Sequence, residues 1–143
     1  MAASFTPMDP DAQLGYLLVV CAEQMSRAWH RALRQAGINP RQFSMLAVLA
    51  HEPGISQAEL ARRVLITPQS VSESLNRLID IDLVTRGVAE PGKPAQLMLT
   101  HAGRAVLADA YPVVETFNRA SFSALTGQER SVMARLLQKL IAP

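Results

Sequence analysis

The chain has 143 residues, is 49% apolar and 18% charged, and therefore has the length and composition of one folded domain rather than of a disordered chain. Its apolar run from Leu14 to Cys21 is broken by Gly15 and is shorter than the roughly 18 residues that a membrane span needs, and the N-terminal pattern predicts no secretory signal. A single cysteine cannot form an internal disulfide, so we expect a cytoplasmic protein without membrane contact.

Helix starts are marked along the chain by Asp, Asn, Ser or Thr just before a helical pattern. Asp9 and Pro10 predict the start of a long first helix, whose apolar residues recur at threes and fours until Gly37 ends it. Asn39 and Pro40 predict a second helix that is apolar almost all round. A helix of that composition must lie in the centre of the domain.

Two short helices and a hairpin follow. The segment from Ser56 to Glu59 has the pattern of a capping box and predicts a short third helix. Thr67 and Pro68 predict a fourth helix only a few residues later. Its inward apolar stripe consists of Val71, Leu75, Leu78 and Ile79. Over 83–100 the pattern changes to two extended segments around a loop rich in Pro and Gly, which predicts a β-hairpin.

Two further helices complete the chain. Thr100 predicts the start of a fifth helix, and the segment from Thr126 to Glu129 is a second capping box before a sixth. The first and last helices have apolar stripes longer than one chain of this size can cover, so we expect a homodimer. The predicted fold is mainly α-helical, a winged helix-turn-helix with long N- and C-terminal dimerisation helices and a two-stranded β-wing. The single domain 1–143 is predicted to comprise dimerisation helices over 9–37 and 101–143 and a winged helix-turn-helix lobe over 40–100, with its wing over 83–100.

The fourth helix is the element of such a motif that enters a DNA major groove. Once its apolar stripe faces inward, the outward side chains are polar, namely Gln69, Ser70, Ser72, Glu73, Asn76 and Arg77. Amides bond adenine at two points, hydroxyls bond donors or acceptors, and a carboxylate accepts from the cytosine amino group. The formal charge of +2 is small, so DNA binding must rest on these hydrogen bonds as well as on charge. The alternative interpretation is an ordinary solvated helix face.

Phosphate contacts are expected beside the polar face. Arg77 lies further along the fourth helix, where we expect it to reach a phosphate. Backbone donors near Ser56 and Gln57, at the start of the third helix, are expected to do the same.

The run ISQAELARRVLITPQSVSESLNRLIDIDLVTR, with LMLTHAG after the hairpin and LTGQER before the last helix, resembles the MarR family of bacterial and archaeal transcriptional regulators. The likeness extends over nearly the whole chain and includes NPRQFSMLAVLAHEPG. It implies a homodimer, joined through the first, fifth and sixth helices, that binds a palindromic operator on double-stranded DNA. The resemblance further implies a repressor that releases its operator when it binds a small aromatic or anionic effector.

The sequence departs from the family pattern at two places. Family wings often carry an Asp-x-Arg tip, whereas this sequence has Lys93 in that stretch, and lysine lacks the planar fork of arginine. Leu65 stands where many relatives have glycine, and we expect it to keep a negative φ. The complete set of predicted DNA contacts is Ser56, Gln57, Pro68, Gln69, Ser70, Ser72, Glu73, Asn76, Arg77 and Lys93.

Two other classes of function remain open. One branch of the family senses organic peroxides through a lone cysteine near the start of the first helix, as Cys21 is here. Cys21 falls on the apolar stripe between Leu17 and Met25, which favours packing over reactivity. A winged-helix module that binds protein would be favoured by an apolar outward face on the fourth helix, and the face here is polar.

The sequence does not identify an effector site. Arg27, Arg31 and Arg34 share one side of the first helix and form either a solvated face or the anion-attracting wall of an effector cleft. Phosphate-loop, zinc-protease and nucleophile-elbow patterns do not occur, and the three histidines and one cysteine have no metal-ligand spacing. We therefore expect no enzymatic activity, no metal and no cofactor.

Overall fold

The structure is a computed structural model that describes residues 6–64, 66–88 and 91–141. In these ranges the chain forms six α-helices and a two-stranded antiparallel sheet. The elements are α1 (Leu14–Gln35), α2 (Pro40–His51), α3 (Gln57–Val64), α4 (Pro68–Asp80), β1 (Val84–Arg86), β2 (Leu97–Leu99), α5 (His101–Ser121) and α6 (Gly127–Ile141). The predicted φ of Leu65 and the part of the predicted wing loop at 89–90 lie outside the described residues.

The first helix begins later than the sequence predicts. Asp9 caps only one 3₁₀ turn, Pro10–Ala12, by accepting a backbone N–H hydrogen bond at 3.0 Å. The chain is extended at Gln13, with φ −99° and ψ 110°, and α1 starts at Leu14. The prediction of one continuous helix is therefore wrong, because the extended residue separates the capped turn from α1. At the other end Gly37 has the left-handed φ of +74° that suits glycine just after a helix.

α2 is the central helix, as predicted. Asn39 and Gln42 form a capping box, since Oδ1 of Asn39 accepts from the backbone N–H of Gln42 at 2.9 Å and Oε1 of Gln42 accepts from the N–H of Asn39 at 3.0 Å. Met45, Leu46 and Leu49 are buried. α2 contacts α1, α3, α4, α5 and β2, so the rest of the fold is arranged around it.

We call α2, α3, α4 and the hairpin of β1 and β2 the central lobe. Its strands are three residues long, shorter than the predicted extended segments, and pair Val84 with Leu99 and Arg86 with Leu97. The backbone N–H of Leu97 also donates to the carbonyl of Ile55 at 3.1 Å, which holds the base of the hairpin against the start of α3. The core of the lobe, with one residue of α5, consists of Met45, Leu46, Leu49, Ile55, Leu60, Ala61, Val71, Leu75, Leu78, Leu83, Val84, Leu97, Leu99 and Leu107.

The start of α5 is packed against the turn before β1. The hydroxyl of Thr100 donates to the carbonyl of Asp82 at 2.6 Å and accepts from the backbone N–H of Gly103 at 2.9 Å. Gly103 is so close to this turn that a Cβ there would overlap the carbonyl oxygen of Leu83. A glycine is therefore required for steric reasons where α5 meets the lobe.

A second, smaller cluster joins α1 to α5 and contains Leu33, Ile38 and Ala110. The ring of Trp29 packs against this cluster. Its centroid lies 5.3 Å from that of the Phe43 ring, in an edge-to-face arrangement, and 4.9 Å from that of the Phe117 ring.

The terminal helices expose much of their apolar surface. α6 buries none of its residues. Leu140 at its end is 74% exposed, and Leu14 at the start of α1 is 84% exposed. Within the described ranges, no helix is both long enough and apolar enough to cross a membrane.

Candidate nucleic-acid interface

α4 presents its polar face outward because its apolar face is fixed in the core. Val71, Leu75 and Leu78 are fully buried. The predicted contact residues consequently lie on the open side of the helix. Of these, Pro68, Gln69, Glu73, Asn76 and Arg77 are exposed, and Ser70 and Ser72 are half-buried.

The start of α4 is fixed by a side-chain cap. Oγ1 of Thr67 accepts from the backbone N–H of Ser70 at 3.2 Å and donates to its hydroxyl at 3.0 Å. The Ser70 hydroxyl therefore belongs to the cap, although it keeps its own proton to donate outward. The amides of Gln69 and Asn76 have no hydrogen-bond partner in the part of the chain that the structure describes, so both are available to a ligand.

The start of α3 has the capping box that the sequence predicts, and this box occupies the donors of Ser56 itself. The backbone N–H and the hydroxyl of Ser56 both donate to Oε2 of Glu59, at 3.0 Å and 2.7 Å. The pKa of the Glu59 carboxyl lies below its usual value because of these two hydrogen bonds. The bond from the hydroxyl has the larger effect, and the bond from the backbone N–H adds to it. The donors left at this helix start are the backbone N–H groups of Gln57 and Ala58, which bond to no other described residue.

Arg86, at the end of β1, was not among the predicted site residues. Its side chain is exposed, and Nη2 donates to Oε1 of Gln57 at 3.1 Å, which places a guanidinium beside the open donors of α3. A groove of about 300 Å³ lies there, lined by Ser56, Gln57, Ala58, Arg86, Pro94, Ala95 and Leu97. The sequence signal was an arginine at the base of the wing, but its partner lies 29 residues away along the chain.

Lys93 lies on the exposed part of the wing, next to Gly92, which has a φ of +78°. It lines a second groove, of about 230 Å³, with Gly87, Val88, Pro94 and Gln96. The wing thus carries two basic side chains, Arg86 at its base beside α3 and Lys93 further out.

Cys21 packs against Met25, one turn further along α1. It is half-buried, and its Sγ lies 4.0 Å from Sδ of Met25. This contact favours a packing role for the thiol. Across 6–64, 66–88 and 91–141, no three His, Cys, Asp or Glu side chains are grouped as a metal site would require.

A groove outside the central lobe lies between α1 and α5 and has a volume of about 390 Å³. Of the three arginines predicted as an anion-attracting wall, Arg31 lines it. Gln35 and Thr116 add polar groups, and the apolar lining consists of Ala28, Ala32, Pro112, Val113, Phe117 and Ala120.

A helix pair with an outward polar second helix, next to a β-wing that carries basic side chains, defines a winged helix-turn-helix of the DNA-binding type. A family model described as the MarR family matches residues 36–93. The HTH-type transcriptional repressor Rv2887 of Mycobacterium tuberculosis is 34% identical over 131 residues, which are 91% of this chain and 94% of that protein. The chain belongs to the MarR family of transcriptional regulators.

Solved structures support the same assignment. The M. tuberculosis Rv2887 structures match at TM-scores of 0.73 in complex with DNA and 0.72 in complex with salicylic acid, with 33% and 34% identity. Both alignments cover 91% of this chain, and they cover 98% and 97% of the Rv2887 chains. The transcriptional repressor CouR of Rhodococcus jostii RHA1, bound to a 23-mer DNA duplex, matches at a TM-score of 0.85 and 25% identity, over 98% of this chain and 100% of that one. The predicted fold class, mainly helical with a two-stranded wing, is confirmed.

Proposed function

We propose that this protein is a homodimeric repressor that binds a palindromic operator in double-stranded DNA through α3, α4 and the wing. The observation that carries the proposal is the polar face of α4, which the buried apolar face holds outward in a lobe whose wing also exposes Arg86 and Lys93. This activity needs no catalytic group or cofactor, and it places the protein in the cytoplasm with the DNA that it regulates.

The contact residues divide into base readers and charge donors. Gln69 and Asn76 have exposed amides that suit the two-point contact with adenine. Arg77, Arg86 and Lys93 supply positive charge to phosphates or to the minor groove. The N–H groups of Gln57 and Ala58 can hold a phosphate at the start of α3.

The dimer is supported by the two uncovered apolar faces at the chain ends. α6 exposes a stripe that includes Val132, Leu136 and Leu140, and α1 exposes Leu14 and Leu18 near its start. A second copy related by a two-fold axis would cover both faces and would carry a second recognition helix.

The direct test is to select bound sequences from a random DNA pool at physiological salt. We expect an inverted repeat whose half-sites are about one helical turn apart, because a two-fold dimer offers two recognition helices. A single asymmetric half-site would contradict the dimer. If no motif is enriched, DNA recognition itself is wrong and a protein-binding module is favoured.

We further propose that an aromatic carboxylate releases the operator by binding in the groove between α1 and α5. Arg31 gives this groove a cation and Phe117 gives it an aromatic wall, which suit a flat anion. The related Rv2887 was crystallised with salicylic acid, a ligand of this chemistry.

Salicylate titrated into the protein–operator complex tests this site. Arg31→Gln should require more salicylate for release while it binds the operator as the wild type does. Arg27→Gln is the matched control, because Arg27 is exposed on the same helix and does not line the groove. Equal shifts in both variants, or none in either, would contradict the proposed site.

A further inference from the structure

Glu73 is an acidic side chain on the surface that we propose to meet DNA, a polyanion. It is exposed on α4, and its carboxylate has no hydrogen bond and no ion pair within the described part of the chain. Arg77 is one turn further along and does not neutralise it. The ion pair found among the described residues joins Arg63 to Glu52, at 2.6 Å. The charge of Glu73 therefore remains uncompensated in the protein alone.

The position of Glu73 is central among the base readers. Gln69, Glu73 and Asn76 are spaced by four and three residues, so they lie on one side of α4. From the first to the last they extend about 10 Å along the helix axis, which equals about three base-pair steps. If the outer two side chains reach base edges, the carboxylate between them is brought to a base edge as well.

A carboxylate in the major groove needs a hydrogen-bond donor, because it only accepts and the surrounding phosphates repel it. The groove offers two such donors, the amino groups of cytosine and adenine. The adenine amino group lies between two acceptors, N7 of the same base and O4 of the paired thymine. The cytosine amino group has an acceptor, O6 of the paired guanine, on one side only, so cytosine is the better partner for a carboxylate.

We propose that Glu73 determines specificity by requiring a cytosine in each half-site and by weakening binding to DNA that lacks one there. The inference rests on the proposed function, in which α4 enters the major groove. It assigns a discriminating role to a negative charge, whereas the neighbouring basic residues hold any DNA sequence.

Selections from random DNA with three proteins test the proposal. Glu73→Gln keeps the shape of the side chain but removes the charge and adds a donor, so the cytosine should be lost at one position of each half-site and adenine should replace it. Asp80→Asn is the control, because it removes an equal charge from the far end of the same helix, where Asp80 is exposed. It should leave the selected motif unchanged.

Affinities for single base-pair changes give the magnitude. At the selected position, C·G to T·A should weaken wild-type binding about 5- to 150-fold, and the penalty should largely disappear in Glu73→Ala. Both Glu73 variants should bind random DNA roughly 3-fold more tightly than the wild type. Identical motifs for the wild type and Glu73→Gln would overturn the role of Glu73 and leave the proposed function intact. A wild-type selection with no motif would overturn both.

Discussion

The central lobe and the terminal helices, α1, α5 and α6, differ in how far one chain buries their apolar side chains. In the lobe, Met45, Leu60 and Leu75 are completely buried within one chain. On the terminal helices, Leu14 and Leu140 remain mostly exposed although the sequence is just as apolar there. The two regions therefore reach stability by different routes.

The contrast indicates where one chain is sufficient. The lobe has helices, a sheet and a common core, so each of its elements is covered by another element of the same chain. No residue of α6 is fully buried, and a helix of 15 residues has little stability in water without packing. We therefore expect the terminal helices to depend on a second copy, whereas the lobe alone positions the residues that we propose to contact DNA. The experiments that follow separate these two dependences.

The largest effect is expected from a charge placed in the uncovered stripe of α6. Leu136→Asp should give a monomer, because a carboxylate at a dimer interface would lose its water without gaining a partner. The molecular mass measured by sedimentation at micromolar concentration should fall from twice the 15.6 kDa chain mass to the mass of one chain. Operator affinity should fall at least roughly 100-fold, since the two half-sites no longer bind together.

Gln138→Asp is the control for that variant, because it adds the same charge to an exposed position on the same helix. It should remain a dimer. A dimeric Leu136→Asp, or a wild-type protein that sediments as a stable monomer, would contradict the division between the two regions.

The next effect concerns the connection between the lobe and α5. Gly103→Ala would place a Cβ against the carbonyl oxygen of Leu83, so the backbone must shift, at a cost of about 3 kcal/mol in the free energy of unfolding. Gly127→Ala is a matched control, because the site of its Cβ is open. Urea unfolding measures both variants. Equal stabilities would show that the lobe and α5 are not rigidly joined at this contact.

Within the lobe, base reading and charge should be separable. Asn76→Ala should cost about 1 to 3 kcal/mol on the operator and little on random DNA. Lys93→Ala should weaken binding to both DNAs and reduce the slope of log affinity against log salt by roughly one unit. Binding titrations at several salt concentrations test both. If Asn76→Ala weakened all sequences equally and Lys93→Ala left the salt slope unchanged, the assigned roles would be wrong.

The smallest effect is expected from the two capping boxes, one in the lobe and one at the start of α6, and concerns the pH dependence of stability. Hydrogen bonds from Ser56 lower the pKa of Glu59, and those from the backbone N–H and hydroxyl of Thr126 lower the pKa of Glu129. Each carboxylate therefore stabilises the fold above its unfolded-state pKa, and this contribution is lost as pH falls through the lower folded-state pKa.

Glu59→Gln and Glu129→Gln should each make stability less dependent on pH in the acid range. Unfolding of the lobe should respond to Glu59→Gln, and dissociation of the dimer should respond to Glu129→Gln. Urea unfolding and sedimentation, both followed from neutral to acid pH, distinguish the two. A response of both measurements to either variant would mean that the regions are not energetically separate.

Much of the architecture could be predicted from the sequence because its helix caps are local. Asn39, Ser56, Thr67, Thr100 and Thr126 each cap a helix in the structure, as their patterns indicate. The start of α1 was predicted wrongly because a cap shows that a turn begins and not how long it continues.

The candidate interface was predictable only in part. The outward residues of α4 follow from helical periodicity, which is again local. The pairing of Arg86 with Gln57 depends on the hairpin folding back against α3, which brings together two residues 29 positions apart in the chain. Periodicity and composition do not contain this information.

Trp29 gives the molecule a built-in optical reporter. It is the single tryptophan of the chain, and its ring is in contact with Phe43 of the lobe on one side and with Phe117 of α5 on the other. All indole emission therefore originates at the boundary between the two regions. Any displacement of the lobe relative to the terminal helices changes the polarity around that ring, so the colour of the fluorescence reads out the relative placement of the two regions without an added label.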